Sequence, residues 1–226
     1  MNKIYLTFAV VLITMFSCRK ENSEKVDQDK IWTDYRVVYR SDLDSTLARV
    51  TFREENASGV NLKLSSKSSL LVNNQEGKYD NLYLRYENGI TGGVKSVDFK
   101  YTDLDDNVFA NTVEILNDIA VPGNLDTIYK DSTMFVPWEG SPIEEGETVW
   151  MVLDGSLNNK LPYISIDSVS KNGVYIVPDS LAPLSLGNIY VHFERWYNNE
   201  LKTTSAGGQA FGHYISKKKL VKLVSP

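Results

Sequence analysis

From Ile31 onward, apolar and polar positions alternate in short runs, the period of a strand with one buried face. Thr46, Ala48, Val50 and Phe52 take every second position. So do Val60, Leu62 and Leu64, then Leu82, Leu84 and Tyr86, then Val97, Phe99 and Tyr101. Further strands are predicted over 35–40, 113–119, 134–138, 148–153, 163–167, 174–177, 189–196 and 214–224. Turn signals stand between the runs: Asn56-Ala57-Ser58-Gly59, Asn73-Asn74, Glu87-Asn88-Gly89, Gly92-Gly93 and Asp105-Asp106-Asn107. No stretch carries a helical stripe. The pattern predicts an all-β protein built as a sandwich.

Val121-Pro122-Gly123-Asn124 interrupts any continuing strand and marks a boundary. Val97-Asp98-Phe99 and Val191-His192-Phe193 each belong to a strand, a polar turn and a return, which suggests two related units. The expectation is two Ig-like antiparallel β-sandwich domains in tandem, 31–120 and 121–226; the alternative is one larger sandwich.

The first residues follow a different rule. Lys3 precedes a wholly different kind of run, apolar from Ile4 to Phe16, and the single cysteine, Cys18, comes two residues later. That run is too short for a transmembrane helix, which needs about 20 apolar residues, and has the anatomy of a secretory signal over 1–17. Met15-Phe16-Ser17-Cys18 resembles a bacterial lipobox, which implies cleavage before Cys18 and lipid on its sulfur. One acyl chain holds a membrane only reversibly, whereas two or more anchor stably. Residues 18–30 hold one apolar residue past the cysteine, Val26, and read as a flexible tether. The mature chain has no cysteine to spare for a disulfide, so its fold rests on its own core.

The 226 residues carry a formal net charge of −5. An acidic chain without a basic stripe argues against nucleic acid as a partner.

The runs around Asp98–Val113 and Phe135–Val149, with Trp138-Glu139-Gly140 and Gly146-Glu147-Thr148-Val149, resemble small Bacteroidetes cell-envelope lipoproteins with β-sandwich domains of unassigned function. The resemblance implies a lipid anchor at Cys18 and residence at the outer membrane, on its periplasmic side or at the cell surface. Glu21 and Glu24 match only in part the acidic export signal of that family. No catalytic residue is implied.

Several residues invite chemistry. Asp103, Asp105 and Asn107 have the spacing that opens a calcium loop, but Val108 stands where such a loop needs glycine; a hairpin turn is the simpler reading. His192 and His213 lack metal-ligand spacing and an adjoining nucleophile motif, and His192, out of phase with Val191 and Phe193, is expected to face solvent. Gly207–Gly212 lacks the lysine of a phosphate loop and reads as a mobile surface loop. Glu144, Glu145 and Glu147 form an acidic cluster of the solvated kind. In 189–196, Ile189, Val191 and Phe193 share one face, while Tyr190, His192, Glu194 and Trp196 share the other. Trp196 with Tyr197, and Tyr190 nearby, could offer an aromatic platform to a sugar ring or a protein. Trp138 and Trp150 read as core or inter-sheet residues, and Trp32 as a contact for the tether. The expectation is a binding module without enzymatic activity or cofactor. Its partners would be the membrane and a glycan or, alternatively, other envelope proteins joined at sheet edges.

Overall fold

The computed structural model describes residues 20–155, 163–166, 168 and 171–225; Cys18 and the signal segment lie outside the described residues. The chain is all-β; among the described residues the helical pieces are the four-residue α-helix Pro178–Leu181 and two 3-10 turns, Ser23–Lys25 and Gln28–Lys30. Among the described residues no helix is long and apolar enough to cross a membrane.

Alternation places the core. In Ser45–Glu54, Thr46, Ala48, Val50 and Phe52 point inward, and Ile31, Tyr35 and Val37 do the same from the adjacent strand Ile31–Arg40. A second sheet formed by Ser69–Val72, Ser96–Thr102 and Val108–Glu114 closes over them. Aromatic rings bridge the layers: Tyr35 meets Phe99 with centroids 5.0 Å apart, and Phe52 meets Tyr101 at 4.7 Å. Each such buried side chain contributes about 1.5–3 kcal/mol by leaving water.

A second core is lined by Val149, Met151 and Leu153 of Glu147–Asp154 and by Ile189, Val191 and Phe193 of Gly187–Asn199. The small sheet pairing Met134–Pro137 with Gly173–Ile176 covers it through Val136, Val174 and Ile176. Trp138 is buried there, edge-on to Phe193, and its Nε1–H donates to the Ser141 carbonyl.

One sheet runs through both cores. Its order is 20–22, 61–63, 45–54, 31–40, 208–215, 187–199, 147–154, 163–166. At its centre Ile31–Arg40 lies parallel to Gly208–Ile215, paired from Thr33–Gly208 to Arg40–Ile215. The thirteen-residue strand Gly187–Asn199 serves two partners: Lys219–Val224 along its first part and Gly208–Ile215 along its last. Tyr214 packs against both cores. Side chains clasp the same junction, with the Glu114 amide donating to Asn199 Oδ1 and Asn199 Nδ2 donating back to the Glu114 carbonyl.

Four expectations are corrected. Gly208–Ile215 is a central strand, not a mobile loop: a Cβ on Gly212 would stand 2.1 Å from the Glu114 carbonyl oxygen, so the glycines mark close backbone approach. Residues 20–30 are docked rather than loose. Lys20–Asn22 pairs in parallel with Asn61–Lys63, Ser23 and Val26 are buried, and Gln28 donates to the Ser23 and Val26 carbonyls. Polar side chains order this segment by replacing water with local hydrogen bonds, which composition does not reveal. Leu82 is 80% exposed because Asp80–Leu84 forms a turn, whose amides at 82 and 83 are held by Asp80 Oδ1. The Asn88-Gly89 signal instead lies inside the strand Arg85–Thr91, where buried Asn88 ties down Lys78 and Glu76.

Candidate functional site

The continuous sheet has an outer face, turned away from both cores, and the out-of-phase residues of each strand populate it. From 31–40 come Trp32, Asp34, Arg36, Val38 and Arg40; from 45–54 come Leu47, Arg49, Thr51 and Arg53. From the other half come Trp150, Val152, His192, Glu194, Trp196, Phe211, His213 and Ile215. Two strands from separate halves of the chain therefore meet edge to edge under one surface.

A cleft of about 430 Å³ opens there. Val38, Leu47, Val152 and Ile215 give it apolar ground, and His192, Glu194, His213 and Trp196 give it a polar centre. Glu194 accepts from both imidazoles, His192 Nε2 at 3.2 Å and His213 Nε2 at 3.1 Å. An ionised carboxylate can only accept, so each Nε2 carries the proton. Burial opposes the Glu194 charge, but the two histidine bonds outweigh it and hold the carboxyl at about 2. Burial also pushes His213 below its ordinary 6.5, outweighing the pull of Glu194, so it is neutral at physiological pH. His192 Nδ1 is buried without a hydrogen-bond partner. The expectation that His192 faces solvent is corrected: it is on the outer face but only 6% exposed, because close-set neighbours shield it.

Trp196 stacks on His213 with ring centroids 3.7 Å apart and planes inclined by 18°. Trp150 lies 5.6 Å away on the adjoining strand and Phe211 6.5 Å away on the other side. Trp150 is thus part of this outer cluster and not of a core. A smaller hollow of about 200 Å³ is bounded by Thr148, Trp150, Trp196 and Phe211. Trp196 Nε1 is buried and unpartnered, a donor whose satisfaction would favour a polar ligand atom.

Of the three aromatics expected to form a platform, Trp196, Tyr197 and Tyr190, the cluster takes in the Trp196 side chain. Tyr197, the next residue on the strand, points to the opposite face. Tyr190 is exposed on the outer face, six residues along the strand, or roughly 20 Å away. Trp32 is buried under the Arg53 guanidinium at 5.5 Å from its ring centroid.

The remaining candidates resolve into structure. Both Asp103 oxygens are occupied by its own hairpin: Oδ1 accepts from the Asp105 and Asn107 amides and Oδ2 from Asn107 Nδ2. No group of three or more metal-ligating side chains occurs among the described residues. Glu147 is not solvated but buried against Arg195, which also donates to the Ser141 and Pro142 carbonyls. Burial alone would raise the Glu147 pKa; bonds from Arg195, Asn117 and the Glu144 amide reverse this and lower it. Ser216 lines the cleft, yet its hydroxyl accepts from the Phe193 amide and donates to the Lys217 carbonyl.

Sequence reasoning missed the arginines. Arg36 and Arg49 are directly opposite one another, and Arg49 is opposite Glu87. The signal was present as arginine at out-of-phase positions of successive strands, Arg36 and Arg40, then Arg49 and Arg53, then Arg85. Only strand register turns those scattered residues into a patch.

No protein-family model and no curated protein matches the chain. A solved structure described as "Structural insight into host cell surface retention of a 1.5-MDa bacterial ice-binding adhesin" is similar over 88% of this chain and 67% of that one, with 12% identity and a TM-score of 0.26.

Proposed function

We propose that this protein is a lipid-anchored binding module of the cell envelope that holds a glycan on the outer face of its continuous sheet. The observation that carries the reading is the Trp196 cluster. An aromatic ring fixed by stacking on His213, flanked by Trp150 and Phe211, adjoins a carboxylate locked between two imidazoles. Sugar rings present apolar C–H faces and polar edges. A fixed aromatic plane beside oriented donors and acceptors suits both, and costs little ordering on binding.

Binding rather than catalysis is the reading because the cleft's chemistry is committed. Glu194, held at about 2, remains charged and is a poor proton donor at neutral pH. Ser216 gives its hydroxyl to the backbone. Among the described residues, neither imidazole is hydrogen-bonded to a hydroxyl or thiol nucleophile.

The anchor follows from the lipobox-like residues ending at Cys18. Lys20 already pairs with Asn61, and in the sequence a single residue, Arg19, separates Cys18 from that paired strand. A lipid there would hold the module close against the membrane rather than on a long leash. Fatty-acid labelling lost in Cys18→Ala tests the anchor. Calorimetric titration with neutral oligosaccharides tests the site: binding weakened at least tenfold by Trp196→Ala supports the reading, and binding indifferent to that change removes it.

A further inference from the structure

Beside the Trp196 cleft lies a second hollow of about 210 Å³, walled by Arg36, Arg49, Arg53 and Arg85. Four guanidinium groups there share two carboxylates. Asp34, only 3% exposed, takes Arg36 through both oxygens at 2.9–3.2 Å and has Arg53 at 3.8 Å. Glu87 Oε2 takes Arg49 at 2.8 Å and Arg85 at 2.7 Å. The local balance is therefore two positive charges in excess, on a chain whose overall charge is −5.

This arrangement is unfavourable for a sheet left to itself. Arg36 and Arg49 are directly opposite in register, and like charges so placed repel. Each arginine is nevertheless fixed. Arg53 lies over Trp32 at 5.5 Å and donates to Asn61 Oδ1, Arg85 lies over Tyr83 at 4.6 Å, and Arg36 lies over Phe211 at 5.7 Å. Arg85 Nε is buried with no partner. Aromatic stacking uses the face of a guanidinium and a carboxylate pair uses one edge, which leaves other N–H groups oriented for an oxyanion, at reduced ordering cost.

We infer that this arginine hollow is an oxyanion subsite, and that the glycan the protein holds is anionic, with sulfate ester or carboxylate groups seated among Arg36, Arg49, Arg53 and Arg85. The inference rests on the glycan reading of the Trp196 cleft. Arg36 and Arg49 line both hollows, so the two are continuous. From the Trp196 strand to the Arg49 strand is three strand spacings of about 4.8 Å, roughly 14 Å. The ligand is therefore a chain of several sugars that places one ring on Trp196 and an acidic group in the hollow.

The test is calorimetric titration of the mature protein with chondroitin sulfate, chemically desulfated chondroitin, polygalacturonate, and neutral dextran. Binding of chondroitin sulfate or polygalacturonate at least tenfold tighter than dextran, reduced roughly tenfold or more by Arg85→Gln and by Arg49→Gln, supports the subsite. The desulfated polymer then separates the sources: retained affinity assigns carboxylate, lost affinity assigns sulfate ester. Arg85→Lys should bind with intermediate affinity, because the charge stays and the fork is lost; its melting temperature keeps the test meaningful if Arg49→Gln folds poorly. Dextran binding that depends on Trp196 but gains nothing from anionic groups would overturn the subsite and leave the glycan reading standing. No binding to any polysaccharide would remove both. Equal, arginine-dependent binding of single-stranded DNA would overturn the saccharide assignment in favour of polyanions generally.

Discussion

Replacing Glu147 with glutamine should destabilise the protein by about 3 kcal/mol or more, the lower end of what losing one partner of a buried ion pair costs. The Glu147 and Arg195 side chains are 1% and 2% exposed. Glutamine keeps the volume and one acceptor for Arg195, but leaves a guanidinium charge without its counter-ion. The Ser141 and Pro142 carbonyls, at 2.9 and 2.8 Å, still solvate that charge in part, which is why the lower end applies. For a chain of this length the loss corresponds to a melting temperature lower by about 6–12 °C. Urea unfolding followed by far-UV circular dichroism measures it. The double variant Glu147→Leu/Arg195→Met removes both charges and should recover at least half of the loss. A single variant within about 1 kcal/mol of the wild type would refute the claim that this pair is sealed from water.

Acid should destabilise the fold in two steps. His213 and Glu194 both bind protons more weakly folded than unfolded, so the unfolded chain gains protons first. The His213 contribution is present above its ordinary 6.5 and is lost as pH falls below it; the Glu194 contribution is present above 4.5 and is lost between 4.5 and about 2. The latter is worth at most about 3 kcal/mol, reduced by partial solvent access. Thermal melts across that range, with Glu194→Gln lacking the lower step, check it; a curve flat between 6.5 and 4.5 would contradict the His213 part. Gly212→Ala should cost about 1–3 kcal/mol, since its Cβ would meet the Glu114 carbonyl oxygen; an unchanged urea midpoint would contradict the close approach. Because the 31–40 and 208–215 strands are paired along eight residues, calorimetry should show one unfolding transition, and two well-separated peaks would show the halves to be independent.

Much of the fold was legible because burial on one side writes itself as alternation. Ile189, Val191 and Phe193, or Val97, Phe99 and Tyr101, announce their faces without any knowledge of neighbours. The strand Gly208–Ile215 was not legible. Its inner positions Gly208, Ala210 and Gly212 are small, and backbone approaches closely at the two glycines, so no apolar alternation leads up to Tyr214 and marks the strand. Its parallel pairing with Ile31–Arg40 joins residues some 175 positions apart, and no local pattern encodes such a partner. The site divides in the same way. Trp196 declared itself by standing out of phase with a core face. His213, Trp150 and the arginines acquire meaning only through register, and Glu147 read as one of several surface acids until Arg195 was seen beside it.

The claim most open to direct contradiction is that the outer face of the continuous sheet is the binding face. Nitrogen-15 NMR of the protein from residue 20 onward, titrated with chondroitin sulfate, reads every amide and tryptophan indole in one experiment. The Trp196 and Trp150 indole signals should shift, together with amides around Arg36–Arg40, Arg49, Glu194 and Phe211–His213, while the Met134–Pro137 sheet stays unmoved. Shifts confined to the sheet's edge strands, or to the far sides of the two cores, would place the binding surface elsewhere and contradict the account.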